Sequence, residues 1–269
     1  MVVDEWARVV RHRSVAAGIY SISLEVPVIA AEAWPGQFVQ LRLSDGIEPL
    51  LRMPLSIADA RPDVGEIELL YECVGPKTEA LSEIRIDTRL ACLGPLGHGF
   101  TWPDSAHPSI LVGGGIGLPP LLFLGRRLRA AGYAAVLLTG ARTGEKHLPV
   151  AWLNPAASRV MQSTDDGTLG HAGLVTGLLD AELDDVAYPM VYSCGPRGMM
   201  AAVARNCRVR GIPCQVSLEE YMACGIGICA GCTVPVHRSD AGTHSAYGRY
   251  ERVCVAGPVF DATIIDWDG

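Results

Sequence analysis

The sequence predicts a β plus α/β multidomain protein in three parts: an antiparallel β-barrel over residues 1–103, a nucleotide-binding α/β domain over 104–218, and a small cysteine-bearing subdomain over 219–269. Three observations carry this division. Up to about residue 103, short apolar or alternating runs are separated by turn signals, without a helical period. From Ser109 the pattern becomes strand, glycine loop, helix and strand. Beyond Glu219, three thiols fall within nine residues, at Cys224, Cys229 and Cys232.

In the first part, strands are expected over Ile19 to Val26, Phe38 to Leu43, Ile67 to Val74 and Thr88 to Leu93. Turns are expected at Trp34-Pro-Gly, Ser44-Asp-Gly, Arg61-Pro-Asp and Gly94-Pro-Leu-Gly. Evenly spaced short strands of this kind suit a small antiparallel barrel. The proline-bearing stretch from Trp102 to Pro108 reads as a linker. Next come a strand at Ser109 to Val112, a loop at Gly113 to Gly117, a helix from Pro119 to Ala131 and a strand from Ala134 to Thr139, a Rossmann-like unit with a parallel sheet. A strand at Arg159, a helix from Leu174 to Leu183, a strand from Met190 to Ser193, a helix from Met199 to Arg210 and a strand from Cys214 to Leu218 continue it. The polar stretch Ser239 to Gly248 reads as a surface excursion.

Composition narrows the function. The chain has 269 residues, 49% of them hydrophobic, enough for two sizeable cores. Formal charge is −7 and no block of Lys or Arg stands out, so neither nucleic acid nor an anionic membrane surface is an expected partner. No apolar run reaches the ~18 residues of a membrane span. Asp4, Glu5 and Trp6 interrupt any secretory signal core, so a soluble, cytoplasmic protein is expected. Nine cysteines, an odd number, suit a reducing compartment better than a disulfide framework.

The spacing C-x4-C-x2-C of Cys224, Cys229 and Cys232, followed by Cys254, is that of a plant-type 2Fe-2S centre. Zinc sites favour paired C-x2-C units, so the four-residue gap argues against zinc. Gly225, Gly227 and Gly231 allow the tight backbone that turns amide N–H groups toward anionic sulfur. The plainer reading, buried structural thiols, remains the default for Cys73, Cys92, Cys207 and Cys214, which have no partner motif.

Gly113, Gly114, Gly115, Ile116 and Gly117 follow a strand and open a helix, so backbone amides and the helix dipole can face a pyrophosphate. The loop is not a strict G-x-G-x-x-G, and glycines at such turns also serve packing alone. Pro119 and Pro120 suit the helix's first turn. Arg142, at the end of the next strand, reads either as a phosphate contact or as a solvated side chain. Cys194, Gly195 and Pro196 make a tight turn at a strand end, where the thiol is either inert or on the nicotinamide side. His98, between Gly97 and Gly99, lines a cofactor or only a turn, and the seven histidines show no metal-ligand spacing.

A barrel followed by a nucleotide-binding domain with a Cys-Gly-Pro turn resembles the ferredoxin reductase family. Taken in order, several segments narrow the resemblance to the electron-transfer subunits of type B dihydroorotate dehydrogenase. They are Arg52-Met-Pro-Leu-Ser-Ile57, Gly94-Pro-Leu-Gly-His-Gly-Phe100, Gly113 to Pro120, Cys194-Gly-Pro196, Ser217-Leu-Glu-Glu220, the cysteine loop, and Arg252-Val-Cys-Val-Ala-Gly-Pro-Val-Phe260. The resemblance covers nearly the whole chain. It implies FAD in the barrel, NAD on the α/β domain, and a 2Fe-2S cluster on Cys224, Cys229, Cys232 and Cys254. It also implies an FMN-containing catalytic partner that oxidises dihydroorotate in pyrimidine biosynthesis, in a heterotetramer with two of each subunit. A flavin exchanges electrons singly or in pairs, and so belongs between a nicotinamide and the cluster.

Carried over residue by residue, the family's flavin motif Arg-Pro-aliphatic-Ser falls on Met53, Pro54, Leu55 and Ser56, with Met53 in place of arginine and Arg52 one position earlier. Neighbouring side chains on a strand face opposite ways, so Arg52 replaces the arginine only if the backbone bends. A second flavin segment falls on Leu70, Tyr71 and Glu72, and the phosphate contact Gly-Thr on Lys77 and Thr78, with Lys77 a further departure. The 21 residues between Cys232 and Cys254 exceed the family's usual spacing, and the excess matches the excursion Ser239 to Gly248. Two other functions share parts of this pattern. One is an NAD(P)H-dependent reductase subunit serving ferredoxin, a hydrogenase or an oxygenase; the other is a non-catalytic iron-sulfur scaffold module.

Overall fold

The computed structural model describes residues 1–43, 50–102, 107–237 and 248–268. The turn expected at Ser44, most of the expected linker and nearly all of the excursion Ser239 to Gly248 lie outside the described residues. Six strands form a closed barrel: β1 (Val3–Ala16), β2 (Ile19–Glu25), β3 (Phe38–Arg42), β4 (Met53–Arg61), β5 (Glu66–Glu72) and β6 (Arg89–Leu96). All neighbours run antiparallel in the order β1-β2-β5-β4-β3-β6, and β6 closes on β1 from Val3↔Gly94 to Arg8↔Arg89. Alternate side chains fill the interior, Ile22, Leu24, Val39, Leu41, Ile57, Ile67 and Leu69 among them. β1 is not among the four expected runs. Of its 14 residues only Ala7 and Val9 are buried, so its polar outer positions hide the alternation.

The first part also contains two helices, α1 (Pro27–Glu32) and α2 (Pro76–Ser82), which the expectation of strands without helical periods did not include. Each starts on a proline, whose missing N–H costs nothing there. At six and seven residues neither is long enough to print a 3.6-residue period in the sequence.

The second sheet contains β7 (Ser109–Gly114), β8 (Ala135–Ala141), β9 (Arg159–Thr164), β10 (His171–Ala172), β11 (Met190–Cys194) and β12 (Cys214–Ser217). Its order is β10-β9-β8-β7-β11-β12, parallel throughout. Helix α3 (Leu118–Ala130) covers one face, while α4 (Val175–Asp185) and α5 (Arg197–Arg210) cover the other. Leu118 to Gly125 are all buried, so the first two turns of α3 have no solvent-facing side, and its arginines gather towards its end. It packs against both the sheet and the barrel, where Arg126 donates to the Ala58 carbonyl at 3.0 Å and pairs with Asp59 at 3.3 Å.

The last part is not a separate layer. β13 (Thr233–Pro235) pairs with β14 (Tyr250–Arg252), a short helix α6 (Val253–Ala256) carries Cys254, and β15 (Val259–Asp261) joins the large sheet antiparallel to β12. Cys232 and Cys254 are therefore packed in the same apolar core as α4, α5 and Phe38. No helix among the described residues is long and apolar enough to cross a membrane.

Candidate functional site

Strand order reverses about β7, whose chain winds to β8 on one side while β11 lies on the other, and such a switch point leaves a crevice at the strands' carboxyl ends. The glycine loop and the Cys194 turn both stand there. Gly117 is fitted to that turn: a Cβ on it would lie 2.5 Å from the Cys194 carbonyl carbon and oxygen and the Gly195 Cα. Gly113 and Gly114 are similarly filled, by Leu118 and by Met199. Gly115 differs. It is exposed, has φ of +54°, and has nothing within 4 Å of where a Cβ would point. Three of the four glycines thus serve packing, and Gly115 turns its backbone to open space. Pro196 is exposed at the start of α5, and Arg142 is exposed at the carboxyl end of β8.

Between the barrel and the sheet runs a groove of about 720 Å³. Its barrel wall is Met53, Pro54, Leu55 and Ser56 on β4, Leu70, Tyr71 and Glu72 on β5, and Lys77 and Thr78 on α2. The structure therefore brings these nine residues to one place from three elements. Ile116 and Pro119 bring the glycine loop to the same groove, and Leu218 to Met222 close the remaining side. The lining is mostly apolar with a few polar groups, as a site for an aromatic ring system with a charged tail requires.

Arg52 stands apart from this wall. Its guanidinium pairs with Asp4 through two bonds of 3.0 and 2.6 Å, and it does not line the groove. It precedes Met53, which is buried in the barrel, so strand alternation sends it outward, where the β1 carboxylate captures it. The cation the groove does contain is Lys77, whose ammonium donates to the Arg52 carbonyl at 3.4 Å. Thr78 Oγ1 accepts from the Val74 and Gly75 amides at 2.9 and 3.1 Å and fixes the turn into α2. Glu72 is held by Lys146 at 2.8 Å across the domain boundary. Tyr71 stacks on Tyr20 with centroids 5.6 Å apart, and its hydroxyl lies 2.8 Å from His12 Nε2. His12 Nδ1 lies 2.8 Å from the Ile84 carbonyl, which can only accept, so Nδ1 carries the proton and the tyrosine donates to Nε2.

Glu219 and Glu220 belong to the segment Ser217-Leu-Glu-Glu220, to which the sequence attaches no chemical role. Both line the groove, and desolvation raises both carboxyls, with Arg197 opposing the rise at Glu220. Glu219 stays in reach of solvent, which limits the effect there. Its Oε1 lies 4.0 Å from the fully buried Cys194 thiol, which burial pushes well above the usual thiol range, with Glu219 adding to the rise. Cys194 is thus kept as a neutral thiol. The one signal for Glu219 and Glu220 was their place, two carboxylates between the last parallel strand and the first loop cysteine. His98 is exposed, does not line the groove, and forms a backbone bridge to Gly257 and Pro258.

The four predicted thiols fall into two pairs. Cys224 Sγ accepts from the Cys229 amide at 3.4 Å, and Cys232 Sγ accepts from the Cys254 amide at 3.4 Å. The Gly231 amide reaches Cys229 Sγ at 3.5 Å. Burial works against the Cys224 thiolate, but the amides of Cys229, Ile226 and Ile228 and the Cys229 side chain bring its pKa down to about 6. Cys254 goes the other way, raised to about 12 by burial and by Cys232. Among the described residues no three His, Cys, Asp or Glu side chains converge as a single-ion site needs. Two thiol pairs with N–H donors aimed at sulfur fit the ligand set of a dinuclear iron-sulfur centre.

Known proteins resemble this chain over nearly its whole length. Residues 219–266 match the family model for the iron-sulfur cluster binding domain of dihydroorotate dehydrogenase B. A Desulforamulus reducens protein named dihydroorotate dehydrogenase B (NAD(+)), electron transfer subunit, is 35% identical over 97% of this chain and 98% of its own. A protein of the same name from Geobacillus thermodenitrificans is 36% identical with the same coverage. Among solved structures, a chain of the NADH-dependent reduced ferredoxin-NADP oxidoreductase superposes with a TM-score of 0.84 at 29% identity, covering 98% of this chain and 91% of that one. The ferredoxin reductase of carbazole 1,9a-dioxygenase gives 0.69 at 26% identity, covering 79% and 67%.

Proposed function

The chain belongs to the family of electron transfer subunits of dihydroorotate dehydrogenase B, and from that membership we propose that it carries electrons from a partner subunit, which oxidises dihydroorotate on FMN, to NAD+. FAD and a 2Fe-2S cluster are its own cofactors; the cluster moves electrons singly and the flavin converts them to the pair a nicotinamide takes. The observation that carries the reading is a shared wall. Leu218 to Met222 line the groove and Cys224 follows two positions later, so the flavin and cluster sites adjoin along one stretch of backbone.

In this reading the barrel residues 1–103 hold FAD in the groove, with Pro54, Leu55 and Ser56 along one wall and Leu70, Tyr71 and Glu72 along the other. Lys77 and Thr78 take the pyrophosphate in place of an arginine at Met53. Residues 104–218 hold NAD(H), its pyrophosphate over Gly115 and its nicotinamide end toward Cys194, Gly195 and Pro196, with Arg142 as an outer phosphate contact. Residues 219–269 hold the cluster on Cys224, Cys229, Cys232 and Cys254. Hydride exchange needs no acid or base from the protein, so these residues bind, orient and exclude water. The chain works in the cytoplasm as one of the four subunits of a heterotetramer containing two of each kind.

The deciding experiment mixes anaerobically purified chain with its FMN-containing partner. Dihydroorotate should reduce NAD+ only when both are present. Turnover of dihydroorotate by this chain alone would overturn the reading. Lys77→Ala should weaken FAD binding at least tenfold, in line with ~1.5–3 kcal/mol for a hydrogen bond to a charged group, and Lys77→Arg should recover most of it. Titration of flavin fluorescence checks both; an unchanged dissociation constant for Lys77→Ala would move the pyrophosphate elsewhere. The second reading, a reductase subunit passing electrons from NAD(P)H to a ferredoxin-like acceptor, draws on the 0.84 superposition. Rapid NADH-driven reduction of ferredoxin, with no response to the dihydroorotate-oxidising partner, would favour it.

A further inference from the structure

Gln40 is fully buried, and neither its Nε2 nor its Oε1 has a hydrogen-bond partner among the described residues. A buried polar group left without a partner costs ~1–3 kcal/mol, so its retention calls for a partner that the described residues do not supply. Its neighbours Val39 and Leu41 point into the barrel core, so Gln40 projects from the barrel's outer face. There it is paired with Pro54 of β4 and Leu93 of β6. Pro54 lines the groove, and Leu93 packs against the core that contains Cys232 and Cys254. The amide therefore lies between the groove and the cysteine segment.

The cysteine loop closes directly on it. A Cβ on Gly225, the residue after Cys224, would meet Gln40 Cγ and Nε2 at 2.8 Å, so only glycine allows this approach. The N–H groups that do bond these sulfurs, from Ile226, Gly227, Ile228, Cys229, Gly231 and Cys254, are backbone groups of the cysteine segment itself. We infer that Gln40 Nε2 donates a hydrogen bond from the barrel to a sulfur of the iron-sulfur cluster on the Cys224 side, and thereby tunes the cluster's potential. The inference rests on the 2Fe-2S reading of the four cysteines. An N–H donor at sulfur favours the more negative, reduced cluster, so the Gln40 bond raises the potential and eases electron entry from the partner. Gln40 is a tuning residue; it touches no substrate and ligates no iron.

The test is an EPR-monitored redox titration of the full chain carrying FAD and cluster, in wild type, Gln40→Leu and Gln40→Met. Both variants lack the N–H; Met keeps the unbranched shape if Leu disturbs the barrel. At a fixed solution potential, the ratio of reduced to oxidised cluster should fall about tenfold in each, equal to ~59 mV for one electron. In ENDOR spectra of the reduced cluster, one exchangeable proton coupling present in wild type should be missing from both. Wild-type potential and proton couplings in both variants would overturn the inference while leaving the cluster assignment intact. A wild-type chain with iron restored but no reduced 2Fe-2S signal would overturn the assignment, and this inference with it.

Discussion

Cys229→Ala should reduce dihydroorotate-linked NAD+ reduction to background in the reconstituted complex, while NADH still reduces an artificial dye through the bound flavin. Cys229 separates ligation from packing better than the other thiols because it is exposed, whereas Cys232 and Cys254 are buried in the core beneath the loop. Removing an exposed side chain should change the stability of the cluster-free protein by no more than about 0.5 kcal/mol. Any large loss of electron transfer is then a loss of the cluster. The measurement is iron and sulfide content, the EPR signal and both activities on one preparation. Full dihydroorotate-linked activity with the alanine in place would remove Cys229 from the ligand set.

Gly117→Ala should raise KM for NADH at least tenfold and lower the unfolding midpoint as well. The new methyl would press on the Cys194 and Gly195 backbone at 2.5 Å, and backbone cannot rotate aside as a side chain can. Overpacking of this kind typically costs ~1–3 kcal/mol. Gly115→Ala is the companion variant. Its methyl meets nothing, so the stability cost is only the ~1–2 kcal/mol of a left-handed backbone without glycine. It should nevertheless raise KM for NADH, because the methyl enters the space assigned to the pyrophosphate. Reduction of flavin and cluster by dithionite should be unchanged in both. An unaltered KM in Gly115→Ala would take the nucleotide away from this loop, even if Gly117→Ala failed to fold.

The parts of this protein that could be read from the sequence are those whose meaning is local. The cysteine spacing, the glycine loop after a strand and the Cys-Gly-Pro turn each lie within about ten residues, and chain connectivity alone brings their atoms together. The parallel sheet was legible because its strands and the helices α4 and α5 repeat a regular pattern over 100 residues. α1 and α2 were not, being too short for a period to register. Arg52 has sequence neighbours that suit a phosphate, while the side chain that holds it, Asp4, is 48 residues away. Glu219 and Glu220 stand in a segment the resemblance singles out, but only the fold brings them to the groove.

By itself the sequence determined a barrel with a parallel sheet after it, and it placed four thiols at a spacing that suits a 2Fe-2S centre. Tertiary structure alone decided that β15 returns to the large sheet and packs Cys232 and Cys254 into its core. It also decided that Lys77 rather than Arg52 supplies the groove's cation, and that the orphaned amide of Gln40 meets the backbone of Gly225. The physical reason is common to all of these. Strand alternation and barrel closure determine which face each side chain takes, and that face meets its partner across tens or hundreds of residues, a distance over which local pattern carries no information.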